Sequence, residues 1–223
     1  GVKSDYIKAL PNLKLISCYG VGYDAIDTNL ARAGGIMVTH TPNVLNAEVA
    51  STALMLMLAC YRNILADDAY VRSGDWETRG NAPLSRSADN QVVGIVGLGR
   101  IGQAIADKLA PFNATILYHA RSQKMVPYQY CESLLDMARA SDVLICITPG
   151  GEATNKLINA EVINALGPKG TLINVSRGSV VDETAMIAAL QEGRTGWAGS
   201  DVFEDEAKVP AALRETPNVV VLP

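Results

Sequence analysis

Histidine is nearly absent from this 223-residue chain: His40 and His119 are the only two. His40 sits in a turn and His119 at a strand end, so both read as structural. The four cysteines, Cys18, Cys60, Cys131 and Cys146, show no C-x-x-C spacing. No metal site is expected from them, and three lie in apolar runs. Buried, reduced thiols in a cytoplasmic protein follow. No charge block is long enough to act as a tail. The net charge of −4 argues against nucleic acid or an anionic membrane as partner. The longest apolar stretch, Val49 to Tyr61, is interrupted by Ser51 and Thr52. It is too short for a membrane span and reads as a buried helix. There is no internal repeat, no low-complexity segment and no signal peptide. The chain opens on Gly1 rather than Met, as a fragment would, so missing targeting signals carry little weight.

What is present is enough apolar residue, 48%, for a large core. Leu13–Cys18 and Ile36–Thr39 read as strands around a helix at Ala25–Ala33 that Gly34-Gly35 closes. Asn46–Arg62 reads as a long helix, and residues 72–90, rich in Gly, Ser, Asp and Arg, as a connection around Trp76. Beyond residue 91 strands and helices alternate. Val92–Val96, Thr115–His119, Val143–Thr148, Thr171–Val175 and Val219–Leu222 read as strands. Gln103–Ala110, Ser133–Ala140, Ala160–Ala165 and Glu183–Glu192 read as helices. This predicts an α/β, doubly wound parallel sheet covered on both faces.

The strand at Val92–Val96 runs into Gly97-Leu98-Gly99-Arg100-Ile101-Gly102, and an amphipathic helix follows. A Gly-x-Gly-x-x-Gly turn between strand and helix is a dinucleotide signal. The first glycine permits the tight turn, the second admits the pyrophosphate, and the third lets helix and strand touch. The helix N-terminus then receives the diphosphate on its free N–H groups. An NAD site normally ends its second strand in Asp or Glu, which binds the ribose 2′-OH. Here that strand runs into Ala120-Arg121-Ser122. Arg121 can bond a 2′-phosphate and Ser122 can add a donor, so NADP(H) is preferred over NAD(H), which stays possible. The alternative is a solvated turn.

Three further segments carry chemistry. Arg177, followed by Gly178, lies just past a buried strand and could hold a carboxylate or polarise a carbonyl oxygen; otherwise it caps the next helix. Asp201 follows a strand and Glu206 the next turn; alone, they read as a solvated acidic loop. Gly20-Val21-Gly22 could form a small anion nest, or a plain turn.

Together these pieces resemble the D-isomer-specific 2-hydroxyacid dehydrogenases, and within them the NADPH-dependent glyoxylate/hydroxypyruvate reductases. The resemblance covers nearly the whole chain. It rests on residues 19–27, 41–45, 93–102, 148–151, 172–183 and 201–206. It implies a Rossmann dinucleotide-binding domain at 45–223 and, at 1–44, the end of a flavodoxin-like substrate-binding domain. It implies hydride transfer from NADPH to the C2 carbonyl of a small 2-oxo acid. Arg177 would bind the substrate's carboxylate and carbonyl oxygen, and Glu206 would pair with a catalytic histidine and raise its pKa. Asp201 would accept from the nicotinamide carboxamide, and Val21 and Gly22 would offer N–H groups to the carboxylate. Gly97, Leu98, Gly99, Arg100, Ile101 and Gly102 would hold the pyrophosphate. Thr148, Pro149, Thr154 and the backbone near Val175 would line the adenosine and nicotinamide sides. A homodimer is implied, with Val49–Tyr61 as a candidate contact.

Two positions depart from the family pattern: Ala207 stands where Pro is usual, and Ser200 where an apolar residue is usual. The family's histidine falls one residue past Pro223, so little reductase activity is expected of these 223 residues alone. Two other readings stand beside this one. One is a dinucleotide-sensing corepressor on the same scaffold. The other is an NAD-dependent relative, against which Ala120-Arg121 argues.

Overall fold

The computed structural model describes residues 1–223, and two separate parallel sheets organise them. The first is small. After helix α1 (Ser4–Ala9) come β1 (Leu15–Ser17), α2 (Thr28–Ala33) and β2 (Met37–Thr39), with Leu15 opposite Met37. The Asp27 side chain accepts from the Leu30 N–H at 2.9 Å and caps α2. That cap starts the helix at Thr28 rather than at Ala25. Ile7, Ile16, Ile26 and Ala31 form the unit's own small core.

Helix α3 (Asn46–Tyr61) packs against the helix at Arg100–Leu109 and the strands of the second sheet. Ala50, Ala53, Leu56 and Met57 join Val93, Ile95 and Ile173 in one buried cluster under the second sheet. This explains a helix that is apolar over most of its surface. No single helix in the chain is long and apolar enough to cross a membrane.

The stretch after α3 corrects the expected connection at 72–90, because its front half is helical. α4 (Ile64–Arg72) and α5 (Asp75–Arg79) bury no residue, so no apolar stripe marks them. Gly74 and Gly80, both at positive φ, bound α5 and make it read as loop. Ion pairs from Asp68 to Arg72 and Asp75 to Arg79 support these exposed turns. Arg86 then fastens the chain to the sheet. Its guanidinium carbon lies 3.6 Å from the Trp197 ring centroid and 4.0 Å from that of Tyr61. Its Nη1 donates to the Lys169 carbonyl at 2.9 Å.

The second sheet has seven parallel strands in the order β5-β4-β3-β6-β7-β8-β9. They are β3 (Val92–Val96), β4 (Thr115–His119), β5 (Gln129–Tyr130), β6 (Val143–Cys146), β7 (Thr171–Asn174), β8 (Trp197–Ser200) and β9 (Val219–Val221). Between them run α6 (Arg100–Leu109), α7 (Leu134–Ala140), α8 (Ala160–Leu166), α9 (Glu183–Gln191) and α10 (Ala211–Arg214). Every residue of β6 and β7 is buried, as strands covered on both faces require. β5 is two residues long, too short for periodicity to mark, and β8 lacks β-branched residues. The expected strands at 143–148 and 171–175 end earlier, at Cys146 and Asn174, where the chain leaves the ladder for the crevice.

Leu56 is fully buried where α3 meets β8. Leu56→Ala should destabilise the chain by about 3 kcal/mol through lost burial and a cavity. Chemical denaturation followed by circular dichroism checks this; a change below a third of that value would mean that α3 is not part of the core.

Candidate cofactor and substrate crevice

The sheet order reverses at β3. The next strand in the chain, β4, pairs on one side of it, and the following long strand, β6, on the other. Loops leaving β3 and β6 therefore part, and a crevice opens past their C-terminal ends. The glycine turn fills one wall. Gly97 has φ +100°, and a Cβ there would lie 2.8 Å from the Ile147 carbonyl oxygen. A Cβ on Gly102 would collide with the Gly97 carbonyl oxygen, so α6 touches the end of β3 directly. At Gly99 a Cβ would meet nothing within 4 Å. Packing thus requires Gly97 and Gly102, whereas Gly99 faces open space.

The helix starts at Arg100, three residues before Gln103, because Gly102 adopts helical geometry. Its N-cap, Gly99, makes no side-chain cap bond, and the first turn holds no acid. Leu98 is 1% exposed, so that side chain belongs to the core and only its backbone can face a ligand. Ile101 also packs on the core, while Arg100 is exposed. Residues 98–102 therefore offer mainly backbone N–H groups and a helix dipole, which suit a diphosphate. Beside the glycine turn, in the loop after β6, Thr148 Oγ1 is buried without a hydrogen-bond partner. A buried hydroxyl left unpaired beside the glycine turn is a polar group that a ligand there would satisfy. Both observations fit a dinucleotide.

Ala120, Arg121 and Ser122 follow the end of β4. Arg121 and Ser122 are exposed, and neither forms an ion pair or side-chain hydrogen bond in the chain. No carboxylate occupies position 120. Thr154 Oγ1 donates to the Pro149 carbonyl at 2.8 Å and closes the loop after β6. Val175 is 5% exposed, so only its backbone can line the crevice.

Arg177, past β7, reaches across to the small unit. Its Nε and Nη2 donate to the Asp24 carboxylate at 3.1 and 3.0 Å, and its Nη1 to the Ser176 carbonyl at 2.7 Å. Gly22 lies so close that any Cβ there would overlap Nη2 of Arg177. Burial raises the Asp24 carboxyl; hydrogen bonds and charge from Arg177 outweigh it and hold the group below the usual carboxylate value. The Val21 carbonyl bonds Nδ1 of His40 at 2.9 Å, and that ring meets Tyr23 edge-on with centroids 4.9 Å apart. His119 Nδ1 is likewise engaged by the Cys131 carbonyl at 3.0 Å. The Val21-Gly22 backbone and Arg177, distant in sequence, therefore share one corner. Asp24, which composition and spacing did not single out, belongs with them. The separation of 153 residues left no local signal.

Asp201 follows β8, with its N–H on the Asn174 carbonyl at 3.0 Å. Burial, then the negative charge of Glu206, push its carboxyl upward. Glu206 itself is exposed and unpaired within the chain. Ala207 beside it has φ +68°, which a proline ring forbids, so Ala for the family's usual Pro changes the local backbone.

Fold and crevice together define a nicotinamide-dinucleotide-binding domain. A model of the "D-isomer specific 2-hydroxyacid dehydrogenase, NAD binding domain" family matches residues 54–223. The chain belongs to that family. A hydroxyphenylpyruvate reductase from Plectranthus scutellarioides is 45% identical over 224 aligned residues, covering 100% of this chain and 71% of that protein. A glyoxylate/hydroxypyruvate reductase from Arabidopsis thaliana is 44% identical, with the same coverage of both chains. The crystal structure of an NADPH-dependent glyoxylate/hydroxypyruvate reductase from Sinorhizobium meliloti, in complex with NADP and malonate, superposes with a TM-score of 0.94 at 48% identity. The match covers 97% of this chain and 69% of that one. The corepressor alternative finds no support among these relatives.

Gly102→Ala should lower stability by about 2 kcal/mol through overpacking against β3. Gly99→Ala should change it by less than about 0.5 kcal/mol yet weaken dinucleotide binding at least about tenfold, because its methyl enters the ligand's space. Thermal melts and cofactor titrations of both variants check this. Equal destabilisation by the two would contradict the division of roles.

Proposed function

We propose that this chain is the cofactor-binding part of an NADPH-dependent reductase acting on a small 2-oxo acid of the glyoxylate or hydroxypyruvate type. The observation that carries the reading is Arg177. A guanidinium stands at the crevice corner, packed against the Gly22 backbone and facing both units. Asp24 holds its Nε and Nη2 and Ser176 one N–H of Nη1, and the remaining Nη N–H groups suit a carboxylate and the adjoining carbonyl oxygen. The resemblance to reductases named for such substrates supports the substrate class.

In this reading Gly97, Leu98, Gly99, Arg100, Ile101 and Gly102 bind the pyrophosphate, and Arg121 and Ser122 bind the 2′-phosphate beside Ala120. Thr148, Pro149, Thr154 and Val175 border the cofactor, and Asp201 accepts from its carboxamide. Bound there, the dinucleotide supplies a hydride for the C2 carbonyl. Arg177 orients the acid and stabilises charge growing on the carbonyl oxygen, while Val21 and Gly22 present N–H groups to the carboxylate. Glu206 holds the positive charge of the family's proton-donating imidazole.

Residues 1–44 are assigned to the substrate-binding unit and 45–223 to the dinucleotide-binding unit. The seating of α3 under the larger sheet supports this division. A cytoplasmic homodimer fits the reading. The Val49–Tyr61 face is largely used inside the chain, and the exposed Ile64, Leu65, Val71 and Trp76 of α4 and α5 lie beside it.

Cofactor fluorescence titration tests the reading. NADPH should bind at least about tenfold more tightly than NADH, the scale of one charge-assisted contact. Ala120→Asp should shift the ratio toward NADH by a similar factor. Equal affinity of the unaltered chain for both cofactors would refute the NADPH assignment.

A further inference from the structure

Two tyrosine hydroxyls grip the loop that follows β4. Tyr118, the fourth residue of β4, is 0% exposed. Its hydroxyl accepts from the Lys124 N–H at 2.8 Å and donates to the Lys124 carbonyl at 3.3 Å. Tyr130, on β5, donates to the Ala120 carbonyl at 3.3 Å. The two rings lie against each other with centroids 5.4 Å apart, tilted by 51°. Ala120 and Lys124 are the two ends of a five-residue loop. Its middle residues, Arg121, Ser122 and Gln123, are exposed. The backbone is therefore pinned at both ends while the side chains between stay free.

A buried phenol needs a hydrogen-bond partner, and a carbonyl of the sheet would serve. Tyr118 instead takes both the donor and the acceptor of one loop residue. That fixes where the Lys124 peptide lies and how it faces. A loop with two unpaired cations, Arg121 and Lys124, would otherwise spread through many conformations by mutual repulsion and backbone freedom. Holding it in one shape removes an ordering penalty that would fall on ligand binding.

We propose that Tyr118, assisted by Tyr130, is a positioning residue for cofactor choice. It shapes the 120–124 loop so that Arg121 and Ser122 meet the 2′-phosphate of NADPH. This rests on the NADPH reading above and deepens it. The hydroxyl touches no part of the cofactor itself and acts through Arg121.

The test is a double-mutant cycle read by equilibrium binding of NADPH and NADH. Tyr118→Phe should weaken NADPH about tenfold and change NADH less than about twofold, because only the 2′-phosphate contact depends on the loop. In an Arg121→Ala background the same substitution should have no further effect on NADPH. Tyr130→Phe, which frees only the Ala120 carbonyl, should give a smaller loss with the same pattern, and it carries the test should Tyr118→Phe not fold. Equal weakening of both cofactors, or undiminished loss in the Arg121→Ala background, would overturn the clamp and mark the tyrosine as structural only. Unchanged NADPH affinity in Tyr118→Phe would do the same. An unaltered chain with no preference for NADPH would overturn the NADPH reading and the clamp with it. A preference in Tyr118→Phe undiminished from that of the unaltered chain would overturn the clamp alone.

Discussion

The contact between the end of β3 and the start of α6 is the constraint on which the crevice depends. Gly102 lets the helix rest against the Gly97 carbonyl, and Gly97 turns through a conformation other residues resist. With the helix so close to the strand, its axis points at the gap where β3 and β6 part. The N-terminus carries no side-chain cap, and Gly99 and Arg100 there are exposed, so its N–H groups are open to a ligand. Any side chain at 102 would lever the helix away and move the anion site with it. The open space at Gly99 is the other half of the same device, because it leaves room for the group that the N–H groups attract.

A second dependence links the two sheets. Arg177 leaves the larger sheet and Asp24 the smaller, and their paired contacts hold the guanidinium at the Gly22 backbone. Both side chains remain partly exposed, so the pair contributes modestly to stability, on the order of 1 kcal/mol or less. Its value is positional. It is present at neutral pH, because the Asp24 carboxyl titrates below its ordinary value, and it is lost as acid protonates that group through its lowered pKa. The corner is thus charged and aligned at neutral pH.

Much of this was legible in the sequence because it is local. The glycine spacing, the strand before it and the helix after it lie within a short stretch, and Gly97 and Gly102 have steric reasons that the structure expresses. Ala120-Arg121-Ser122 could be placed because a strand end fixes the register. α4 and α5 were not legible, since exposed helices bounded by Gly74 and Gly80 carry no apolar stripe. Asp24 was not legible because its partner is 153 residues away. Leu98 and Val175 were placed in the site by position alone, whereas burial confines both side chains to the core and leaves only their backbone for a ligand. The grip of Tyr118 on Lys124 spans six residues, but it joins a strand to a loop in a shape that no periodic pattern encodes.

The central claim is that a dinucleotide's diphosphate lies on the α6 N-terminus with its adenosine end at Arg121. Amide-resolved NMR during titration with NADP tests it most directly. The account predicts that the largest shifts fall on the backbone amides of Leu98 to Gly102, with a second group at Arg121 and Ser122. Saturable binding that leaves those amides unmoved, with the shifts gathered elsewhere on the chain, would contradict it.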